Sequence, residues 1–344
     1  MSGSDETRLA VAANFIVRDF MCVKANEQMV ITADTASDVR AVQALLEAAK
    51  VLKASVAVLT IPQLPFQGAL ADPYVAEPLG AAVKSCDVWL DITFPYLAGA
   101  KVHDEAMKLK RARCLMFNDL DAGGIARLFA GVDFEKLFDL QEALDGVVNR
   151  SMGKQCRVTN AAGTDVTFTI GRPATRKIRR IDRPGTYTPP GSAVIYPEID
   201  SVRGTVVVDA AFHEYFTLLR SQIRMKVDGR IQEISGGGTD LKVMDRALKR
   251  AGGGKYGSII HFSHGFHPAA RFHGGSFIES IRAPGSNAVG LGIPWWEPGG
   301  GENHPDAVVT MQSMWIDGEQ IVSDGALALP ELAKLEARLE PFPL

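Results

Sequence analysis

Through the first third of the chain, short apolar runs alternate with amphipathic stretches. Leu9 to Val23 carries apolar residues at helical spacing, and Gln28-Met29-Val30-Ile31-Thr32 reads as a short buried strand. Asp34 to Asp38 offers capping residues for a helix through Lys50, with Val42, Leu45, Leu46 and Ala49 on one face. Ala54 to Thr60 is the next strand, a proline-rich loop covers Ile61 to Pro73, and a helix follows near Glu77 to Ser85. Asp87 to Ile92 and Arg113 to Phe117 complete a set of four apolar strands. Short apolar strands separated by amphipathic helices predict a parallel sheet covered on both faces.

After a helix predicted over Phe134 to Met152 the pattern changes to strict alternation. Cys156 to Thr159 and Thr164 to Ile170 flank a glycine-containing turn and predict a hairpin. Strands are expected at Thr205 to Asp209, at Gln222 to Val227 before the Asp228-Gly229 turn, and at Gly257 to Phe262. A helix is expected at Asp240 to Arg250. Val308 to Met311 and Ser313 to Ile316 are expected to flank an Asp317-Gly318 turn, with a further turn at Asp324-Gly325. Arg172 to Pro190 lacks periodicity and reads as a solvated loop, or else as an active-site lid. The expected fold is α/β: an N-terminal parallel sheet with flanking helices over residues 1–153, then a mainly antiparallel α+β domain over residues 154–344.

Composition narrows the function classes. A net charge of −3 offers no basic face for nucleic acid. The four cysteines are widely spaced and three sit in or beside apolar runs, which predicts buried thiols rather than a disulfide framework. The N-terminus is polar and acidic without a basic signal region, and no apolar run reaches membrane-spanning length, so a cytoplasmic location is expected. No G-x-G-x-x-G follows a strand, so dinucleotide binding is not indicated.

Histidine is the informative residue. Five of the seven lie at positions 261, 264, 267, 273 and 304, and the last forms an H-x-D pair with Asp306. One upstream histidine plus an H-x-D pair is the donor set of a 2-His-1-carboxylate site, which leaves positions open on ferrous iron. On a strand, His304 and Asp306 would project to the same side. His261, expected at a strand end, can converge as the third ligand. Trp295-Trp296 precedes a glycine-rich run, Gly299-Gly300-Gly301, and can form an aromatic wall for a planar ligand or an oligomer contact.

The segment from Tyr256 to Arg271 resembles the metal-site segment of the 2,5-dihydroxypyridine 5,6-dioxygenase family. The resemblance places a histidine ligand at His261, a glycine at Gly265 and a proline at Pro268, and matches the family's H-x-D to His304 and Asp306. A wider resemblance, to the superfamily shared with the thermostable metallo-aminopeptidases, spans nearly the whole chain. It includes Gly163-Thr164-Asp165, the strand Gly204 to Asp209 and the Asp317-Gly318 turn. The aminopeptidases hold two metals with glutamates. Here His261 replaces one, and Ser192 aligns with another.

The resemblance therefore implies an Fe(2+) enzyme, an extradiol-type dioxygenase cleaving a hydroxylated N-heteroaromatic ring. Its partners would be a small aromatic substrate and dioxygen, and its state a homo-oligomer. The family's catalytic-base histidine aligns with Leu97, so proton transfer falls to His103, His264 or His267. Trp295, Trp296 and Arg271 are the expected substrate contacts. The competing expectations are an aminopeptidase-like hydrolase using zinc or cobalt, and a non-catalytic ligand-binding protein on the same scaffold.

Overall fold

The computed structural model describes residues 3–174, 177–301 and 303–341, which pack as two compact units. The first comprises the described residues of 3–134 and 177–189 together with 341, and the second those of 135–176 and 190–340.

In the first unit, helix α1 (Gly3–Asn14) runs on into a π-helical turn, Phe15–Phe20. Strands β1 (Gln28–Asp34), β2 (Ser55–Ile61), β3 (Val88–Asp91) and β4 (Arg113–Met116) alternate with helices α2 (Val39–Val51), α3 (Glu77–Ser85), α4 (Lys101–Lys108) and α5 (Ala122–Ala130). Asp38 and Asp121 start α2 and α5 by accepting from the Arg40 and Gly124 backbone N–H groups. The strands pair in parallel, and β1 beyond Gln28 and all of β3 are buried. Continuous burial explains their unbroken apolar sequences, since neither face meets water. Trp89, Leu79, Val83, Leu97 and Cys114 fill the core between sheet and helices. Each fully buried aliphatic or aromatic side chain here contributes roughly 2 kcal/mol.

The second unit takes helix α6 (Phe134–Arg150) from Glu135 onward, then the hairpin β5 (Gln155–Thr159) and β6 (Asp165–Arg172). The chain then returns to the first unit for β7 (Gly185–Tyr187), which lies parallel to β4 and completes the order β2-β1-β3-β4-β7. Back in the second unit follow β8 (Ser192–Pro197), β9 (Arg203–Phe212), β10 (Phe216–Asp228), β11 (Arg230–Gly236), helix α7 (Asp240–Ala251), β12 (Ser258–Gly265) and the short α8 (Phe277–Ser280). Strands β13 (Asn287–Gly292), β14 (Asp306–Val309), β15 (Ser313–Ile316), β16 (Glu319–Ser323) and β17 (Ala326–Leu327) precede helix α9 (Pro330–Glu336).

These strands form an antiparallel sheet in the order β11-β10-β9-β14-β13-β12-β8-β6-β5-β15-β16-β17. An additional β9–β6 pairing closes six of them, β9-β14-β13-β12-β8-β6, into a ring without free edges. Gly204 sits at that closure with φ +127°, and a Cβ there would meet the Asp165 carbonyl oxygen at 2.1 Å. Only glycine permits so close an approach.

Four expectations need correction. Val308 and its neighbours do not share a hairpin with Ser313 to Ile316. Strand β14 pairs with β13 and β9, while β15 pairs with β5 and β16. Met311 at φ +50° breaks the run between them, and Asp317-Gly318 joins β15 to β16 with both residues at positive φ. Arg172 to Pro190 is not loop throughout, since it contains β7. His261 lies within β12 rather than at its end, and His304 lies before β14 rather than on it. Among the described residues, no helix is long and apolar enough to cross a membrane.

Candidate metal centre

Three adjacent strands of the second unit build one hollow. On the middle strand, Gly290 pairs with His261 of β12 on one side and with Asp306 of β14 on the other. Directly opposite residues of an antiparallel pair share a face. Asp306 and His261 therefore flank a position with no side chain. The β12 register skips Ile260 between the pairs Ile259–Leu291 and His261–Gly290. This bulge re-aims the chain just before His261, as bulges beside functional sites do. His304 enters from the β13–β14 loop. A Cβ on Gly290 would lie 2.2 Å from His261 Nε2 and 2.8 Å from His304 Cε1.

The donor atoms converge on that hollow. His261 Nε2 and His304 Nε2 are 3.2 Å apart, and Asp306 Oδ1 lies 3.5 Å from the first and 3.7 Å from the second. Ligands about 2.1 Å from a common cation, at angles between octahedral and tetrahedral, lie roughly 3.0–3.4 Å apart. The three atoms are thus close to ligating separation. They form the one group of three or more His, Cys, Asp or Glu side chains with metal-holding geometry among the described residues.

Electrostatics points the same way. Burial lowers the His261 pKa to about 3, helped by the nearby His304 and weakly opposed by the Ala288 backbone. Burial lowers His304 to about 4 and pushes Asp306 well above the usual carboxylate range. With ring protons on Nδ1, both Nε2 atoms would present lone pairs to one another and to a carboxylate. A divalent cation resolves that clustering of acceptors in a buried place. Among the described residues, the buried Asn303 amide nitrogen has no hydrogen-bond partner.

An aromatic wall stands beside the donors. Trp295 lies 5.6 Å from the His304 ring and 6.4 Å from His261, centroid to centroid. Trp296 meets Trp295 at 4.9 Å, and Tyr196 meets both indoles at 5.8 Å and His261 at 6.3 Å. Trp295 is 49% exposed, whereas Tyr196 is 8% exposed.

The remaining anticipated residues are placed differently. His264 is buried three residues beyond His261, so strand alternation turns it to the opposite face. Its Nδ1 accepts from Gln312 Nε2 at 3.0 Å, and burial lowers its pKa to about 4. His267 is fully buried, with Nδ1 accepting from the Ala269 N–H at 3.3 Å. Arg271 is exposed, and its backbone N–H donates to Glu279. His103 belongs to the first unit, on α4, with Nε2 2.8 Å from the Thr186 hydroxyl and its ring 5.9 Å from Trp89. Leu97 is buried in that unit's core. Ser192 pairs with Gly265, several residues from His261, and no residue of β8 carries a carboxylate.

Gly290, Tyr196 and Asn303 were not anticipated. Gly290 carries a readable signal, since an isolated glycine within a strand marks a close approach. Tyr196 becomes visible only through the β8–β12 register.

The profile of the family described as 2,5-dihydroxypyridine 5,6-dioxygenase matches residues 17–329. No curated protein matches the chain. Among solved structures, the 2,5-dihydroxypyridine dioxygenase of Pseudomonas putida KT2440 is similar, with a TM-score of 0.74 and 20% identity over 95% of this chain and 99% of that one. Wild-type AmpT from Thermus thermophilus has a TM-score of 0.65 and 12% identity over 94% of this chain and 100% of its own. At such identities the two likenesses speak for the fold. The profile covers most of the sequence, and the chain belongs to the 2,5-dihydroxypyridine 5,6-dioxygenase family.

Proposed function

We propose that the chain is a mononuclear non-haem Fe(II) dioxygenase that cleaves a hydroxylated, dihydroxypyridine-like ring in the extradiol manner, with His261, His304 and Asp306 as the iron ligands. The convergence of three donor atoms beside the Gly290 hollow carries this reading. Family membership supports the dioxygenase class. The donor set supports iron, because two imidazoles and one carboxylate on one side leave positions for a chelating ring and dioxygen. Only one carboxylate joins the group, which speaks for one cation rather than the pair an aminopeptidase-like hydrolase would need.

A ferrous ion held there would supply the relay of electrons between ring and dioxygen. The chain's own side chains then have three tasks. Trp295, Trp296 and Tyr196 offer apolar faces to a planar ring. Arg271 is a proposed substrate contact. His103, His264 or His267 is the proposed proton carrier, and burial keeps the first two neutral near pH 7, as a general base requires. Homo-oligomeric assembly and a cytoplasmic location belong to the same proposal.

Oxygen uptake with 2,5-dihydroxypyridine, measured beside iron content, tests the reading. His261→Ala and His304→Ala should lose iron and uptake together. Stoichiometric iron in either variant would contradict its role as a ligand.

A further inference from the structure

The strand register carries the aromatic wall one step further, to a cation. Tyr196 neighbours His261 across β8 and β12, one residue beyond the pair Phe262–Ile195. Across the other edge of β8, Tyr196 pairs with Arg172 at the end of β6. The Arg172 guanidinium carbon lies 4.1 Å from the Trp296 ring centroid. Arg172, Trp296, Tyr196 and His261 therefore form a continuous ladder from solvent to the donor group.

The guanidinium lies over the indole ring of Trp296. Among the described residues it makes no ion pair or hydrogen bond. The acid closest along the strand pair, Glu198, packs against Gly171. A guanidinium stacked in this way has its face covered and its N–H groups projecting in plane. That edge matches a planar carboxylate through two parallel hydrogen bonds. Stacking also fixes the group before a ligand arrives, which reduces the ordering cost of binding.

We propose that Arg172 is a specificity-determining residue that receives a carboxylate on the ring ligand, so the preferred ligand is an aromatic acid rather than a neutral ring. The acid group meets the guanidinium while the ring lies against Trp296, Trp295 and Tyr196. This rests on the reading of the adjacent hollow as the ring-binding site. It adds to that reading an acidic substituent on the side away from the metal-chelating oxygens.

The test is calorimetric titration of the full-length, metal-depleted chain with pyridine-4-carboxylate and with pyridine-4-carboxamide, which share ring and size but differ in charge. The acid should bind about tenfold more tightly, the ratio expected of a partly exposed charge-assisted contact. Arg172→Met should bring the two affinities together at an unchanged melting temperature, and Arg172→Lys should keep part of the preference. Equal affinities in the wild type, no binding of the acid, or a preference that survives Arg172→Met would each overturn the proposal. Because no turnover is read, its failure is separable from that of the dioxygenase reading. Uptake on 2,5-dihydroxypyridine without any acid preference would leave the dioxygenase and remove the anchor.

Discussion

Asp91 in the first unit and Asp306 in the second are both deeply buried, and the two could hardly be treated more differently. Asp91 is 1% exposed at the end of β3, and Asp306 is 3% exposed at the start of β14. Burial raises the pKa of both. Asp91, however, accepts from the Thr32 hydroxyl at 2.8 Å, the Thr93 hydroxyl at 2.7 Å and the backbone N–H groups of Thr93 and Leu97. These hydrogen bonds oppose the effect of burial. Asp306 has no such donors among the described residues, and only two imidazole nitrogens face it. A carboxylate satisfied by the chain orders a loop. One left facing other acceptors calls for a cation from outside.

The largest expected effect comes from removing the unsatisfied partner. Asp306→Asn should abolish stoichiometric iron and lower oxygen uptake by about a thousandfold, a loss of several kcal/mol of metal-derived stabilisation. Melting temperature should change little or rise, since a costly buried acid is gone. An unchanged metal content would erase the distinction between the two aspartates.

Gly290→Ala should be nearly as severe for metal, with the imidazole ends giving way and the fold kept. The added methyl would occupy the space where the imidazoles meet, 2.2 Å from His261 Nε2. Iron content by elemental analysis, beside an unaltered circular dichroism spectrum, checks this.

Asp91→Ala gives the opposite result. It strands the donors of Thr32 and Thr93 and should cost about 2 kcal/mol in denaturant unfolding. Iron stoichiometry should be unaffected. A matching loss of iron would show that both carboxylates serve the site.

The last expected effect is a change in pH dependence. The folded-state pKa of His264 is depressed to about 4 from an ordinary value of 6.5. Between those values the unfolded chain binds the extra proton, so stability falls as pH drops through this window. The slope approaches about 1.4 kcal/mol per pH unit at most. In His264→Leu that contribution should disappear from urea midpoints measured between pH 7 and pH 4. An unaltered profile would mean that His264 is not buried as a neutral ring.

The difference between the aspartates was only partly legible in the sequence. The parallel sheet was readable because β1 and β3 are buried on both faces and so carry unbroken apolar runs. The tight turns at Asp317-Gly318 and Asp324-Gly325 were readable because their residues tolerate positive φ. Strand β7 was hidden, because three residues among prolines and arginines show no period. The H-x-D spacing drew attention to His304 and Asp306. It suggested that both sit on one strand, whereas loop and strand each supply one. Gly290, Tyr196 and Arg172 enter through register across β6, β8, β12 and β13, a long-range property that local pattern does not encode.

The most direct test of the central claim is the metal content of the full-length chain purified without oxygen, read together with oxygen consumed on adding 2,5-dihydroxypyridine. The account predicts a single iron per chain and uptake that disappears when the iron is chelated. Two metal ions per chain, or uptake that persists after the metal is stripped, would contradict it.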